Sequence, residues 1–271
     1  MLVEFFGLPG AGKSSMSRHV AEMLLRRGVA VDEITYDVDH GHRRPVRAAL
    51  KAARILQYAS ANPRKTLVFG TGIFATRQAT FSDFARSALN WIYIASLAAH
   101  SRSVPRTVLL DQGIAQALWS IGFAARRERW LSLLDKSMDE VIGPDLVVHV
   151  CANPQTIRLR LAQRVPQVSR LERVLGMDDE PLRRAEAHFR AVVRTLSTHG
   201  ISAIEVTNDS PEERAWGAER IATLIASMLN DRRAESDTRL RAESSCAARG
   251  NPAAQDSPTR FADRPARGRV T

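Results

Sequence analysis

Gly7-Leu8-Pro9-Gly10-Ala11-Gly12-Lys13-Ser14, followed by Ser15, decides how this chain is read. It fits the pattern G-x-x-x-x-G-K-[ST]. It also stands where that pattern has meaning, between an apolar run, Leu2–Phe6, and a segment of helical periodicity, Ser14–Arg27. Each part has a physical task. The glycines let the backbone curl so that successive N–H groups converge on phosphate oxygens, and the positive end of the following helix adds to that field. Lys13 is placed to reach the β- and γ-phosphates, and the Ser14 hydroxyl to coordinate Mg²⁺. Residues Gly7 to Ser15 are the expected nucleotide-binding segment. The chain has only four lysines (Lys13, Lys51, Lys65, Lys136), so chance seldom supplies such a match.

Outward from this loop, strand-like and helix-like segments alternate. Val29–Ile34, Thr107–Leu110, Leu146–Cys151 and Ile201–Val206 read as further strands. Val46–Ser60, Phe81–Ala99, Ile114–Ala125, Glu128–Ile142, Pro154 to about Arg164 and Pro181–Thr198 read as helices, and Leu67–Phe69 suits either state. Gly28 and Gly200 close the helices before them. Asn153-Pro154 has the form of an N-cap with proline at the first helical position. Ser210-Pro211-Glu212-Glu213 is a capping box opening a last helix to about Leu229. Five nearly continuous apolar strands separated by helices predict an α/β domain with a parallel sheet covered on both faces.

The composition sets bounds on this reading. Of 271 residues 44% are hydrophobic and 25% charged, which suits a soluble domain with a core. From Asp231 to Thr271 apolar periodicity stops, so residues 231–271 read as a disordered basic tail and residues 1–230 as the domain. The net charge of +10 comes almost wholly from arginine and is met by solvated helix faces and the tail. With only 6% aromatics and no reading motif, it argues against nucleic acid as partner. Cys151 and Cys246, 95 positions apart, make no metal or redox spacing, and a reducing cytoplasm fits them best. The longest near-apolar run, Trp91–Ala99, falls short of the ~20 residues a bilayer span needs. The N-terminus lacks the basic region of a signal peptide. His40 and His42, either side of Gly41, read as solvent-exposed.

A second element is Val108-Leu109-Leu110-Asp111, an apolar strand that delivers an acid at its carboxyl end, the edge where open α/β sheets bind ligands. Asp111 there can hold Mg²⁺, accept a hydroxyl proton or cap the next helix. The loop, Leu110-Asp111 and the later Asn153-Pro154, Arg160-Leu161 and Arg164 together resemble the nucleoside and nucleoside-monophosphate kinases, especially the thymidylate kinases, over about Leu2 to Leu229. The resemblance implies a three-layer fold with a sheet ordered 2-3-1-4-5. It also implies a lid of arginines closing over ATP: Arg160 and Arg164 flank it, and Val165–Met177, with Arg170 and Arg173, forms it. It places Thr207-Asn208-Asp209, and Asn208 within it, against the adenine.

Two departures bear on the acceptor. The family has Asp-Arg after the third strand, whereas this chain has Asp111-Gln112-Gly113 and lacks that phosphate-gripping cation. After the second strand it has Thr35-Tyr36-Asp37-Val38-Asp39-His40, in which Asp37 is either an acceptor-side base or a turn former. The expected activity is transfer of the γ-phosphoryl group of ATP·Mg²⁺ to a small-molecule acceptor, with Lys13, Asp111, Arg160 and Arg164 carrying catalysis and Ser14 and Asp111 holding the metal. The alternative is an NTPase whose hydrolysis drives a conformational cycle. Against it, no Asn-Lys-x-Asp, transporter signature or second acid after Asp111 is present. A homodimer stays open.

Overall fold

The computed structural model describes residues 1–41, 43–127, 130–132, 143–163 and 179–249. Residue proximity divides the chain into two units, Met1–Ala226 and a second that begins at Ser227. In the first unit β1 (Leu2–Phe6), β2 (Val31–Asp32), β3 (Thr107–Leu110), β4 (Leu146–Cys151) and β5 (Ser202–Thr207) form one sheet. The order is β2-β3-β1-β4-β5 and every pair is parallel, as expected. Parallel neighbours need crossover connections, and helices supply them. α1 (Lys13–Arg26) links β1 to β2. α2 (Ile34–Gly41), α3 (Arg44–Ala61), α4 (Pro63–Ala75) and α5 (Phe81–Ser103) lie between β2 and β3. α6 (Ile114–Ala124) follows β3, α7 (Pro154–Ala162) and α8 (Asp179–Thr198) lie between β4 and β5, and α9 (Pro211–Arg249) follows β5.

The two-residue period of each strand builds two cores. Leu2 and Phe6 of β1, Val108 and Leu110 of β3 and Val147 of β4 join one apolar cluster with α5, α6 and α8, where Phe189 stacks on Phe6 at 4.1 Å between centroids. The alternate residues Val3, Phe5, Leu109, Val148 and Val150 are buried too, as are Met16, Val20 and Leu24 of α1 and Ile221 and Ile225 of α9. Glu4, His149 and Cys151 therefore fall on the same face of the sheet as Phe6, a polar set within an apolar layer.

The expected stops and caps are in place. Gly28 and Gly200 have φ of 75° and 74°, the left-handed turn that ends a helix without a Cβ penalty. Asn153 accepts a hydrogen bond from the Thr156 N–H at 2.8 Å. The Ser210 hydroxyl accepts from the Glu213 N–H at 3.2 Å, while the Glu213 carboxylate reaches back one residue further than the usual box, to the Asp209 N–H at 2.7 Å.

Two expectations need correction, and the open assignment of Leu67–Phe69 is settled. β2 is two residues long instead of Val29–Ile34: as an edge strand it pairs on one side only, and the chain turns into α2 at Ile34. Tyr36 and Asp37 thus sit on a helix. Leu67–Phe69 is helical, within α4. The last helix does not stop near Leu229 but runs to Arg249. Its Arg, Ala and Glu favour helix without a core, and no Gly or Pro interrupts it before Gly250. Arg164, the expected lid at 165–177 with Arg170 and Arg173, most of the Glu128–Ile142 helix and residues 250–271 lie outside the described residues. Among the described residues no helix is long and apolar enough to cross a membrane.

Candidate functional site

The glycine loop leaves β1 at the carboxyl edge of the sheet. Gly10 and Gly12 have φ of 88° and 89°, so the curl that turns the loop's N–H groups inward uses a conformation side chains resist. At Gly12 space is short as well, because a Cβ would run into the Asn208 amide. Gly12 occupies the N-cap of α1, and no side chain caps that end, an arrangement of opening N–H groups that suits an anion. Lys13 curls over the loop, its Nζ donating to the carbonyls of Gly7 at 2.8 Å and Leu8 at 3.2 Å.

Ser14 and Asp111, 97 positions apart, meet at the next point along the edge. The exposed Ser14 hydroxyl donates to the Asp111 carboxylate at 2.9 Å. A hydroxyl and a carboxylate side by side next to the glycine loop form an oxygen donor set of the kind Mg²⁺ takes, so the residues present fit that ion. Asp111 is itself oriented, its N–H donating to the buried Thr35 hydroxyl at 3.3 Å. Glu33, which follows β2, was not among the expected site residues. Its carboxyl is raised by partial burial, opposed by Arg18, and raised further by the negative charges of Asp37 and Asp111. The signal available beforehand was an acid at the end of an apolar run; the longer β2 expected from sequence hid it inside a strand. Asp37 is exposed on the first turn of α2, and Gln112 is exposed beside Asp111.

A second acid supports the edge from below. Glu4 is buried in β1 and its two carboxylate oxygens accept from the N–H groups of Gln116 at 3.0 Å and Ala115 at 3.1 Å, at the N-terminus of α6. Burial raises its carboxyl to about 7, against the lowering pull of these backbone donors. The glycine of Asp111-Gln112-Gly113 has a steric reason here: a Cβ on Gly113 would collide with the Glu4 carboxylate.

Behind the loop, Asn208 is fully buried. Its Nδ2 donates to the Ala11 carbonyl at 2.7 Å and its Oδ1 accepts from the Arg214 guanidinium at 3.1 Å. Both ends of the Asn208 amide thus bond to the protein and tie the loop to the end of β5. Arg160 of α7 joins the same knot. One of its terminal nitrogens donates to the Asn208 carbonyl at 2.7 Å, and the other faces the carbonyls of Ala11 at 3.3 Å and Gly10 at 3.4 Å. Burial, then the neighbouring Arg214, lowers its guanidinium from the usual range. The fold thus brings together the loop, Ser14, Asp111, Arg160 and Asn208; Gly7, Leu8, Pro9 and Ser15 lie in or next to the loop as expected.

No family model matches the chain, and no curated protein matches it. Solved structures similar to it include three of deoxyadenosine kinase from M. mycoides, each 14% identical. The one with bound dATP covers 85% of this chain and 99% of that chain at a TM-score of 0.47. The one with the products dCMP and a flexible dCDP covers 84% and 100% at 0.45, and the one with bound dCTP covers 85% and 100% at 0.41.

Proposed function

We propose that the protein is a phosphotransferase that moves the γ-phosphoryl group of ATP·Mg²⁺ to a small hydroxyl-bearing acceptor, with a nucleoside as the first candidate. The observation that carries the reading is the Ser14–Asp111 contact at 2.9 Å beside the glycine loop and Lys13. It unites the oxygen donors for a metal with a cradle for phosphates. When bound, Mg²⁺ supplies neutralisation of phosphate charge. The chain's own residues do the rest. The loop N–H groups orient the β-phosphate, and Lys13 exchanges its two carbonyl partners for phosphate oxygens. Arg160 holds the loop in its curl as a positioning residue, with arginines 164, 170 and 173 as candidates for closing over the nucleotide. Glu33, half-buried and with its carboxyl raised by that burial, joins the exposed Asp37 as a candidate acceptor-side base.

Gln112 bears on the acceptor. A monophosphate brings about two negative charges into a poorly hydrated site, where an unpaired anion is costly, and glutamine supplies no countercharge. An unphosphorylated acceptor is therefore expected to be preferred. ADP release measured against nucleosides, nucleotides, sugars and aminoglycosides tests the reading. Acceptor-dependent release supports it, and Gln112→Arg is expected to shift kcat/KM toward the phosphorylated partner of a matched pair. ATP hydrolysis that no acceptor stimulates would favour the conformational-cycle reading. A wild-type preference for the monophosphate would overturn the role given to Gln112.

A further inference from the structure

We propose that His149, Cys151 and Glu205 form a binding site for one thiophilic divalent cation, with Zn²⁺ the best chemical match. The site follows from strand geometry. His149 and Cys151 are two apart on β4 and so share a face, and the parallel register sets His149 against Glu205 of β5. His149 Nδ1 lies 3.1 Å from a Glu205 carboxylate oxygen and 3.4 Å from the Cys151 sulfur. One donor atom from each of the three residues falls within 4.8 Å of the others, the compactness a single ion requires.

The donor set selects the ion. Imidazole nitrogen, thiolate sulfur and carboxylate oxygen are the ligands of tetrahedral Zn²⁺, whereas Mg²⁺ takes oxygen alone. The three ligands sit beside a cavity of about 320 Å³ that Leu8, Ala11, Ile157 and Phe189 also line. Glu186 of α8 borders the same space, paired with Arg190 at 3.9 Å, and water can complete the shell. The imidazole is pre-oriented, stacked on Phe189 at 5.3 Å and tilted against Phe6 at 5.7 Å. A histidine–carboxylate pair alone accounts for two of the residues and leaves the sulfur without a task. The thiol lies half-buried near the Glu205 carboxylate, surroundings that favour the neutral S–H while no cation is present. A cation reverses that balance: the Cys151 S–H bond breaks, the sulfur binds the metal as thiolate, and the proton goes to water.

The ligands are distinct from Lys13, Ser14 and Asp111, although Leu8 and Ala11 of the glycine loop line the same cavity. The test uses the full chain, stripped by chelator and titrated with Co²⁺, which takes the same ligands and absorbs light. A near-ultraviolet thiolate-to-metal band that saturates at one equivalent, is bleached by Zn²⁺ and is untouched by excess Mg²⁺ is the expected result. Cobalt at Ser14 and Asp111 meets oxygen only and gives no such band. Cys151→Ser should remove the band and Cys246→Ser should retain it. Glu205→Gln, at an exposed position, should weaken binding by at least the roughly 10–100-fold that even outer-shell partners cost. No band at one equivalent, a band that survives Cys151→Ser, or one that disappears in Cys246→Ser overturns the proposal.

Discussion

Asn208→Ala is the most informative single substitution, because Asn208 joins two parts of the fold that sequence order keeps 197 positions apart. Truncation removes the neutral bond from Nδ2 to the Ala11 carbonyl, worth about 0.5–1.5 kcal/mol, and the bond from the Arg214 guanidinium, worth about 1.5–3 kcal/mol. The Ala11 residue is almost wholly buried, and its carbonyl keeps only the longer bond from Arg160 at 3.3 Å in compensation. The expected loss is about 2–4 kcal/mol, within the ~5–15 kcal/mol of a stable domain, so the variant should fold. For a domain of this size that corresponds to a fall in Tm of about 5–15 °C. Urea unfolding of the nucleotide-free protein, followed by far-ultraviolet circular dichroism, measures it directly. Loss of the shorter of the two bonds to the Ala11 carbonyl also loosens the loop, so nucleotide affinity should fall together with stability. A loss under about 0.5 kcal/mol, the size of an ordinary surface substitution, would refute the reasoning, since a buried amide with both ends engaged cannot be that cheap to remove.

Three further outcomes are expected. Lys13→Ala should lower ATP-dependent turnover by about a hundredfold or more, as loss of a charge-stabilising donor does, and leave the Tm of the nucleotide-free protein within a few degrees; a large loss of stability would mark Lys13 as structural. Asp111→Asn should raise the Mg²⁺ needed for half-maximal turnover by about 10–100-fold, and unchanged metal dependence would remove Asp111 from the metal site. Glu4 gives a pH signature. Its carboxyl is raised from 4.5 to about 7 on folding, so between these values the folded state holds the proton that the unfolded state has lost. Stability from this group is complete below pH 4.5 and is lost as pH rises through 7, by about 3 kcal/mol at 1.36 kcal/mol per unit. Unfolding curves across that window should be flatter for Glu4→Gln than for the parent, and parallel curves would contradict the assignment.

Much of this molecule was legible along the chain. A glycine loop between an apolar run and a helical segment, four further apolar runs and the stops at Gly28 and Gly200 determine an α/β fold, because hydrophobic periodicity and left-handed glycines act over a few residues. Asp111 was legible for the same reason, as an acid ending a strand. The sequence did not determine which donors meet. Asn208 is a polar residue in a turn until β5 is laid beside β4, when its amide reaches Ala11. Glu4 is an anomaly in an apolar run until α6 places its N-terminus over it, and Gly113 is a departure from a familiar pattern until Glu4 needs the space. Cys151 carries no spacing signal, since its neighbours are one pleat away on β4 and across the ladder on β5. The extent of α9 is the reverse case, where strong local propensity carries the helix beyond the point at which apolar periodicity stops. Local preference sets which elements form; the sheet register decides which side chains meet, because contacts between residues 100 or more positions apart exist only once the strands are aligned.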